Sequence, residues 1–246
     1  MSILPPNKPQ KTVDTPRNYF IYGATMAGKS YLAERFPNPL FLNTDGNAKA
    51  NKAPSIQLLN ERKRDGSAGK TVIEQLDKIM LALQTEKHSY ETIVLDVIDD
   101  VALLIEQAVC LEAGVKALSD IPYGKGYATF NSVFQGMVME LKALPVNVIY
   151  ISRVDDKIDD TGNSHEIPSL KVKYYNIVNG NCDLVIHVQK IGNRYVRSIT
   201  DKRKDYYASH VDDEKILRIL KAIPGSLKPE PTTNTTNTTN TPKAGK

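Results

Sequence analysis

What this sequence has little of narrows its chemistry before any motif is read. No apolar run approaches the roughly 18 residues that span a membrane, and the opening stretch MSILPPNKPQ has none of the apolar core of a secretion signal. A cytoplasmic protein without a membrane partner is the expectation. Cysteine occurs twice, as Cys110 and Cys182, with no Cys or His at metal-ligand spacing, so neither a zinc site nor a disulfide framework is indicated. A reduced compartment fits, and the Asn-Thr-Thr triplets near the C-terminus are not expected to meet a glycosylating enzyme. Net charge is only +4, and 41% hydrophobic with 24% charged residues is ordinary for a soluble globular chain. The imbalance is local: from Ile167 to Lys204 there are eight Lys/Arg (Lys171, Lys173, Lys190, Arg194, Arg197, Lys202, Arg203, Lys204) against two acids, Asp183 and Asp201. A polyanion contact is best placed there.

The 246 residues divide into three parts. Residues 1–16 are rich in proline and polar residues and read as a flexible lead-in. Residues 224–246, with a repeated T-T-N, have too little apolar surface to offset ordering entropy and read as a disordered tail. Residues 17–223 form the globular part. Within it strand and helix signals alternate. Tyr19–Tyr22 is a strand, Lys29–Phe36 a helix stopped by Pro37, Leu40–Asn43 a strand, and Ile56–Leu59 a short strand candidate. Thr71–Leu83 is a helix opened by a Thr71-x-x-Glu74 capping box, and Thr92–Asp96 is a buried strand. An apolar-faced helix follows from Ile98 to Ala117; Phe130, Val133, Phe134, Met137 and Leu141 mark another, and Val146–Ile151 is a further buried strand. This order predicts an α/β fold with a mostly parallel sheet flanked by helices. Asp183–Lys190 and Arg194–Thr200 around Ile191-Gly192-Asn193 predict an antiparallel edge hairpin.

The strongest chemical signal is Gly23-Ala24-Thr25-Met26-Ala27-Gly28-Lys29-Ser30, a G-x-x-x-x-G-K-S loop between a strand and a helix. Backbone N–H groups of such a loop point at phosphate oxygens, the helix adds its positive end, Lys29 reaches the β/γ-phosphates and Ser30 ligates Mg²⁺. ATP and magnesium are the implied cofactors. A second carboxylate is needed at the end of a buried strand, and Ile93-Val94-Leu95-Asp96 supplies it; Asp96 would hold the magnesium through water. An aspartate ending a strand also caps helices. A further absence discriminates: Val97, not glutamate, follows Asp96, which argues against the usual mechanism of the ring-forming AAA+ ATPases. The stretch LFLNTDG instead puts Asp45 just past the second strand, as a catalytic acid or as the turn residue that Asp-Gly favours. Ser152 and, less strongly, Arg153 leave the strand expected beside that of Asp96 and are candidates for sensing the γ-phosphate; polarity must also simply return there.

The segments IYGATMAGKS, LFLNTDGN, TIVLDVIDD, PYGKGY and NVIYISR, in that order from about residue 19 to 153, resemble the small RecA-like ATPases of the replication and recombination modules of phages, a group that includes single-strand annealing proteins. The resemblance implies ATP hydrolysis, single-stranded DNA as partner, a homo-oligomer and association with host or phage recombination and replication proteins. It also implies that Asp45 stands where those recombinases carry glutamate, one methylene longer, so that hydrolysis is slow or uses Asp99 or Asp100. An acting cation from a neighbouring subunit would come from Lys202-Arg203-Lys204.

For DNA, the basic third carries Tyr174, Tyr175, Tyr195, Tyr206 and Tyr207, and Tyr123-Gly124-Lys125-Gly126-Tyr127 mixes aromatics with lysine. Aromatic faces stack bases while Lys/Arg neutralise phosphates. Lys125, Tyr127, Lys171, Lys173, Arg194, Arg197, Lys202, Arg203 and Lys204 are the DNA-binding candidates, and an exposed edge hairpin accounts for many of the same residues. Acids at Asp155, Asp156, Asp159, Asp160 and Glu166 would repel DNA. Two other functions compete: an ATP-gated module that loads or regulates a replisome helicase or recombinase without significant turnover, and a small-molecule kinase. The kinase lacks its usual arginine-rich lid between Asp96 and Val146.

Overall fold

A computed structural model describes residues 6–9, 14–46, 52–65, 67 and 69–230. Its frame is a seven-stranded sheet in the order β3-β2-β4-β5-β1-β8-β9. The strands are β1 (Asn18–Tyr22), β2 (Pro39–Asn43), β3 (Ser55–Gln57), β4 (Thr92–Asp96), β5 (Asn147–Ser152), β8 (Leu184–Ile191) and β9 (Arg194–Lys202). Every neighbouring pair is parallel except β8 and β9, the antiparallel hairpin at the edge. The α/β architecture read from the alternation of elements is therefore the one observed. β1, β4 and β5 are buried along their whole length, which is what continuous apolar runs in central parallel strands require.

The strand period of two splits the core into two layers. Phe20, Leu40, Leu42, Ile93, Leu95, Val148 and Tyr150 face α2 (Val72–Thr85), α3 (Ile98–Ala113) and α4 (Lys125–Ala143); Tyr19, Ile21, Phe41, Val94, Ile149 and Ile151 face α1 (Lys29–Ala33) and α6 (Glu214–Lys221). The Thr71 hydroxyl accepts from the Glu74 N–H (3.3 Å), which caps α2 as its sequence predicts. No helix of the described residues is long and apolar enough to cross a membrane.

Four elements were not anticipated. A separate antiparallel pair, β6 (Val154–Ile158) and β7 (Ser164–Pro168), follows β5 and carries the acidic segment. Next comes α5 (Val172–Asn179), and Tyr174 and Tyr175 on it pack against the core, with Tyr175 edge-on to Phe20. Tyr206 is 1% exposed. These three rings are therefore engaged in packing and do not form a base-stacking surface. The fourth, α6, is capped by Asp213, which accepts from the Ile216 N–H (2.9 Å); the stripe Ile216, Ile219, Leu220 and Ile223 that it buries is the signal that would have found it.

Packing reaches past Ile223: the buried Ser226 hydroxyl donates to the Leu220 carbonyl (2.6 Å) and the Lys228 N–H to the Tyr206 carbonyl (2.8 Å). At the other end Thr15 is buried and the Tyr19 hydroxyl donates to the Pro16 carbonyl. The Thr/Asn-rich part of the expected tail, from residue 231, and residues 1–5 and 10–13 of the lead-in lie outside the described residues.

Candidate functional site

The loop 23–30 leaves β1 and enters α1 at the C-terminal edge of the parallel strands, the usual place for a ligand in an open α/β sheet. Two of its glycines are demanded by their surroundings. A Cβ on Gly23 would lie 2.0 Å from the Val188 carbonyl oxygen on β8, and Gly28, at φ 89°, would press a Cβ to 3.1 Å from the Tyr195 ring on β9. A side chain at Gly23 would push the loop off the hairpin, and at Gly28 the left-handed backbone itself calls for glycine. Met26, at the exposed tip, also takes a left-handed conformation (φ 63°), and Ala27 beside it is buried.

β5 lies between β1 and β4, so the loop and Asp96 come from strands one apart in the sheet. Asp96 follows Val94 in alternation and so belongs to the α1 face. There the Ser30 hydroxyl donates to Asp96 Oδ2 at 2.7 Å. Lys29 is buried and its ammonium donates to the Gly23 and Ala24 carbonyls (2.7 and 2.8 Å). Burial pushes the Asp96 carboxyl above the usual carboxylate range; the Ser30 hydrogen bond opposes the rise and the negative charge of Asp45 adds to it. Burial likewise lowers Lys29 from the usual lysine value, with Asp96 the main opposing influence.

Thr44, which the sequence reading passed over, places Asp45. Its N–H donates to the Asp96 carbonyl (3.0 Å), and its hydroxyl accepts from the Val97 N–H (3.2 Å) and lies 3.2 Å from Asp100 Oδ2. The loop after β2 is thereby clamped to the end of β4. Asp45 itself is exposed and close enough to Asp96 and Arg153 to influence the ionisation of both. Asn43, in register with Asp96 and 1% exposed, has a side-chain nitrogen without a hydrogen-bond partner among the described residues. Sequence gave no hint of it, because a strand-end asparagine usually satisfies itself in the turn.

Asp99 and Asp100 are committed elsewhere. Asp99 Oδ1 accepts from the Ser152 and Ser169 hydroxyls (3.1 and 2.6 Å), and Asp100 takes both guanidinium nitrogens of Arg153 (2.7 and 2.6 Å). That bidentate bond holds the Asp100 carboxyl below its usual value. Ser152 follows Tyr150 in alternation, on the α3 face, so its hydroxyl is turned to Asp99 and away from Ser30 and Asp96. On the same face Tyr22 stacks on His187 (ring centroids 4.5 Å apart), whose Nε2 lies 2.7 Å from Glu166 Oε2 on β7.

Lys125 and Tyr127 begin α4, Lys171 and Lys173 begin α5, and Arg194 turns the hairpin; all five are exposed. Lys202 pairs with Asp205, Arg203 with Asp183 and Lys204 with Asp14. Arg203 also donates to the Gly180 and Cys182 carbonyls, so it ties β9 to the end of α5.

The residues present fit magnesium and a nucleotide triphosphate. Ser30 and Asp96 offer hard oxygens 2.7 Å apart, the donor type Mg²⁺ takes, and the cramped glycines keep the loop backbone bare where phosphates must approach. When bound, the pair supplies an electrophilic phosphorus and a metal that neutralises its oxygens. The chain contributes the fixed charge of Lys29, the oxygens of Ser30 and Asp96, and the carboxylate of Asp45 beside them. No curated protein matches the chain. Although Val97 and not glutamate follows Asp96, the model of the AAA domain family matches residues 15–210, spanning the loop, both carboxylate-bearing strand ends and the hairpin, and the chain belongs to that family.

Proposed function

We propose that this nucleotide-binding AAA-type ATPase hydrolyses ATP with Mg²⁺ and acts on single-stranded DNA in recombination or strand annealing, as the resemblance to phage recombination-module ATPases implies. The observation that carries the reading is the Ser30–Asp96 pair at 2.7 Å with Asp45 in its field. The water-polarising role falls to Asp45, which follows Thr44, itself bonded to the end of β4, and whose charge acts on both Asp96 and Arg153. Exposed Lys125, Tyr127, Lys171, Lys173 and Arg194 support a strand of DNA on the surface. A homo-oligomer, with recombination or replication proteins of the phage or its host as partners, completes the proposal.

The test is ATP turnover with and without a single-stranded oligonucleotide, run beside an annealing assay. Stimulated turnover with annealing is expected. No stimulation across a range of salt overturns the DNA assignment. The short reach of Asp45 favours a second reading, an ATP-gated module that loads or regulates a helicase or recombinase. ATP-dependent capture of such a partner by a protein with negligible turnover would replace the first reading with the second.

A further inference from the structure

Of the cations without an ion pair among the described residues, four meet in space although only Arg197 belongs to the basic stretch that stands out along the sequence. Between α1, β9 and α6 lies a cavity of about 390 Å³, lined by Arg35, Arg197, Lys215 and Arg218 over an apolar floor of Leu32, Ile219 and Ala222. No carboxylate lines it. Among the described residues none of the four makes an ion pair. Arg35 is held by Tyr31: its guanidinium lies 4.5 Å over that ring and donates to the hydroxyl at 2.8 Å. The Arg197 Nε is buried and has no hydrogen-bond partner among the described residues, and Arg35 nearby repels its charge.

An unbonded buried guanidinium nitrogen beside like charges is unfavourable unless an anion completes it. Three guanidinium groups and one ammonium around one hollow match the oxygens of phosphodiesters, which guanidinium takes in bidentate fashion. The apolar floor suits a sugar or base. A duplex keeps its base faces internal; a single strand presents them together with its phosphates. From these features we infer that the cavity seats a stretch of single-stranded nucleic acid, its phosphates on Arg35, Arg197, Lys215 and Arg218. This site rests on the DNA reading above and relocates it. Lys202, Arg203 and Lys204 serve the fold through Asp205, Asp183 and Asp14. Leu32 on α1 and Arg35 just past it place the cavity on the same short helix that begins with Lys29 and Ser30. A strand seated there bears directly on the segment that forms the nucleotide loop.

The test is anisotropy of a labelled oligodeoxythymidylate titrated over a range of salt. Lys215→Gln/Arg218→Gln alters two exposed positions of α6, and Arg197→Gln removes the buried group; unchanged cooperative melting certifies the fold of each. Wild type is expected to bind. The double variant should bind about tenfold more weakly, with a log–log salt slope smaller by about 1.4, or roughly 0.7 for each of two lost phosphate contacts. Lys202→Gln/Lys204→Gln should change affinity less than about twofold. If wild type binds and the α6 double variant binds equally with the same slope, the cavity is not the site, although the DNA reading survives. If wild type binds no oligonucleotide at low salt, with or without Mg·ATP, the DNA reading and the site fall together.

Discussion

Two regions of this molecule handle positive charge in opposite ways. At the phosphate loop one lysine, Lys29, is buried among backbone carbonyls at the C-terminal end of the buried central strands, and each neighbour has a contact: Gly23 with Val188, Gly28 with Tyr195, Ser30 with Asp96. In the basic third many cations share a short stretch of sequence, and the fold pairs several of them off. Lys202, Arg203 and Lys204 neutralise acids, whereas Arg197 joins Arg35, Lys215 and Arg218 from distant parts of the chain. A single cation placed by local geometry defines one site; a set of cations defines another only after its counter-charges have been subtracted.

The largest expected effect breaks the first region. Lys29→Ala should lower ATP turnover on the order of a thousandfold, because it removes the charge held where the γ-phosphate develops its own; a steady-state phosphate-release assay reads this. Next, Gly23→Ala should destabilise the fold by about 2 kcal/mol in urea unfolding, since its methyl would meet the Val188 carbonyl at 2.0 Å and the β1–β8 contact must shift. An unchanged midpoint would show that the loop does not lean on the hairpin.

Asp100→Asn probes the clamp that holds the loop after β2. It should cost about 1 kcal/mol at neutral pH, a discounted figure because Arg153 and Asp100 are both partly solvated. The folded-state pKa of Asp100 is lowered, so its contribution is present above the unfolded value of 3.8 and is lost as pH falls below it. The stability gap between wild type and variant should therefore close in acid unfolding below about pH 4. The smallest effect sharpens the second region: Lys204→Gln should leave oligonucleotide affinity within about twofold of wild type, since Lys204 already faces Asp14.

Legibility in the sequence followed the range of the interactions involved. The octamer from Gly23 to Ser30 is contiguous, and alternation of apolar runs revealed the parallel sheet and the edge hairpin. Asp96 was legible because a buried strand must end in something, and the loop upstream says what. Thr44 and Asn43 were not, since their roles lie in contacts to Asp96 and Val97, some 53 residues away in the case of Thr44 and Val97. For Tyr174, Tyr175 and Tyr206 the sequence leaves base stacking and a hairpin face open, because it shows residue type and not which side chains the core covers. The four cations of the α1–β9–α6 cavity span residues 35 to 218, beyond the reach of any window along the chain. The missing glutamate after Asp96 was weighed as a sign against the AAA class, yet the chain is an AAA domain. Family membership is carried by the order of the loop, strands and hairpin and not by that one position.

The central claim is that the bound nucleotide is cut, and that Asp45 serves the cutting. The most direct measurement compares Mg²⁺-dependent ATP hydrolysis by wild type and by Asp45→Asn, a change that keeps the shape of the side chain and its fitness for the turn, with nucleotide binding followed in parallel. Turnover should fall by about a hundredfold, in line with the loss of a general base, while the nucleotide still binds. Turnover equal to wild type would make Asp45 a turn residue and contradict the account.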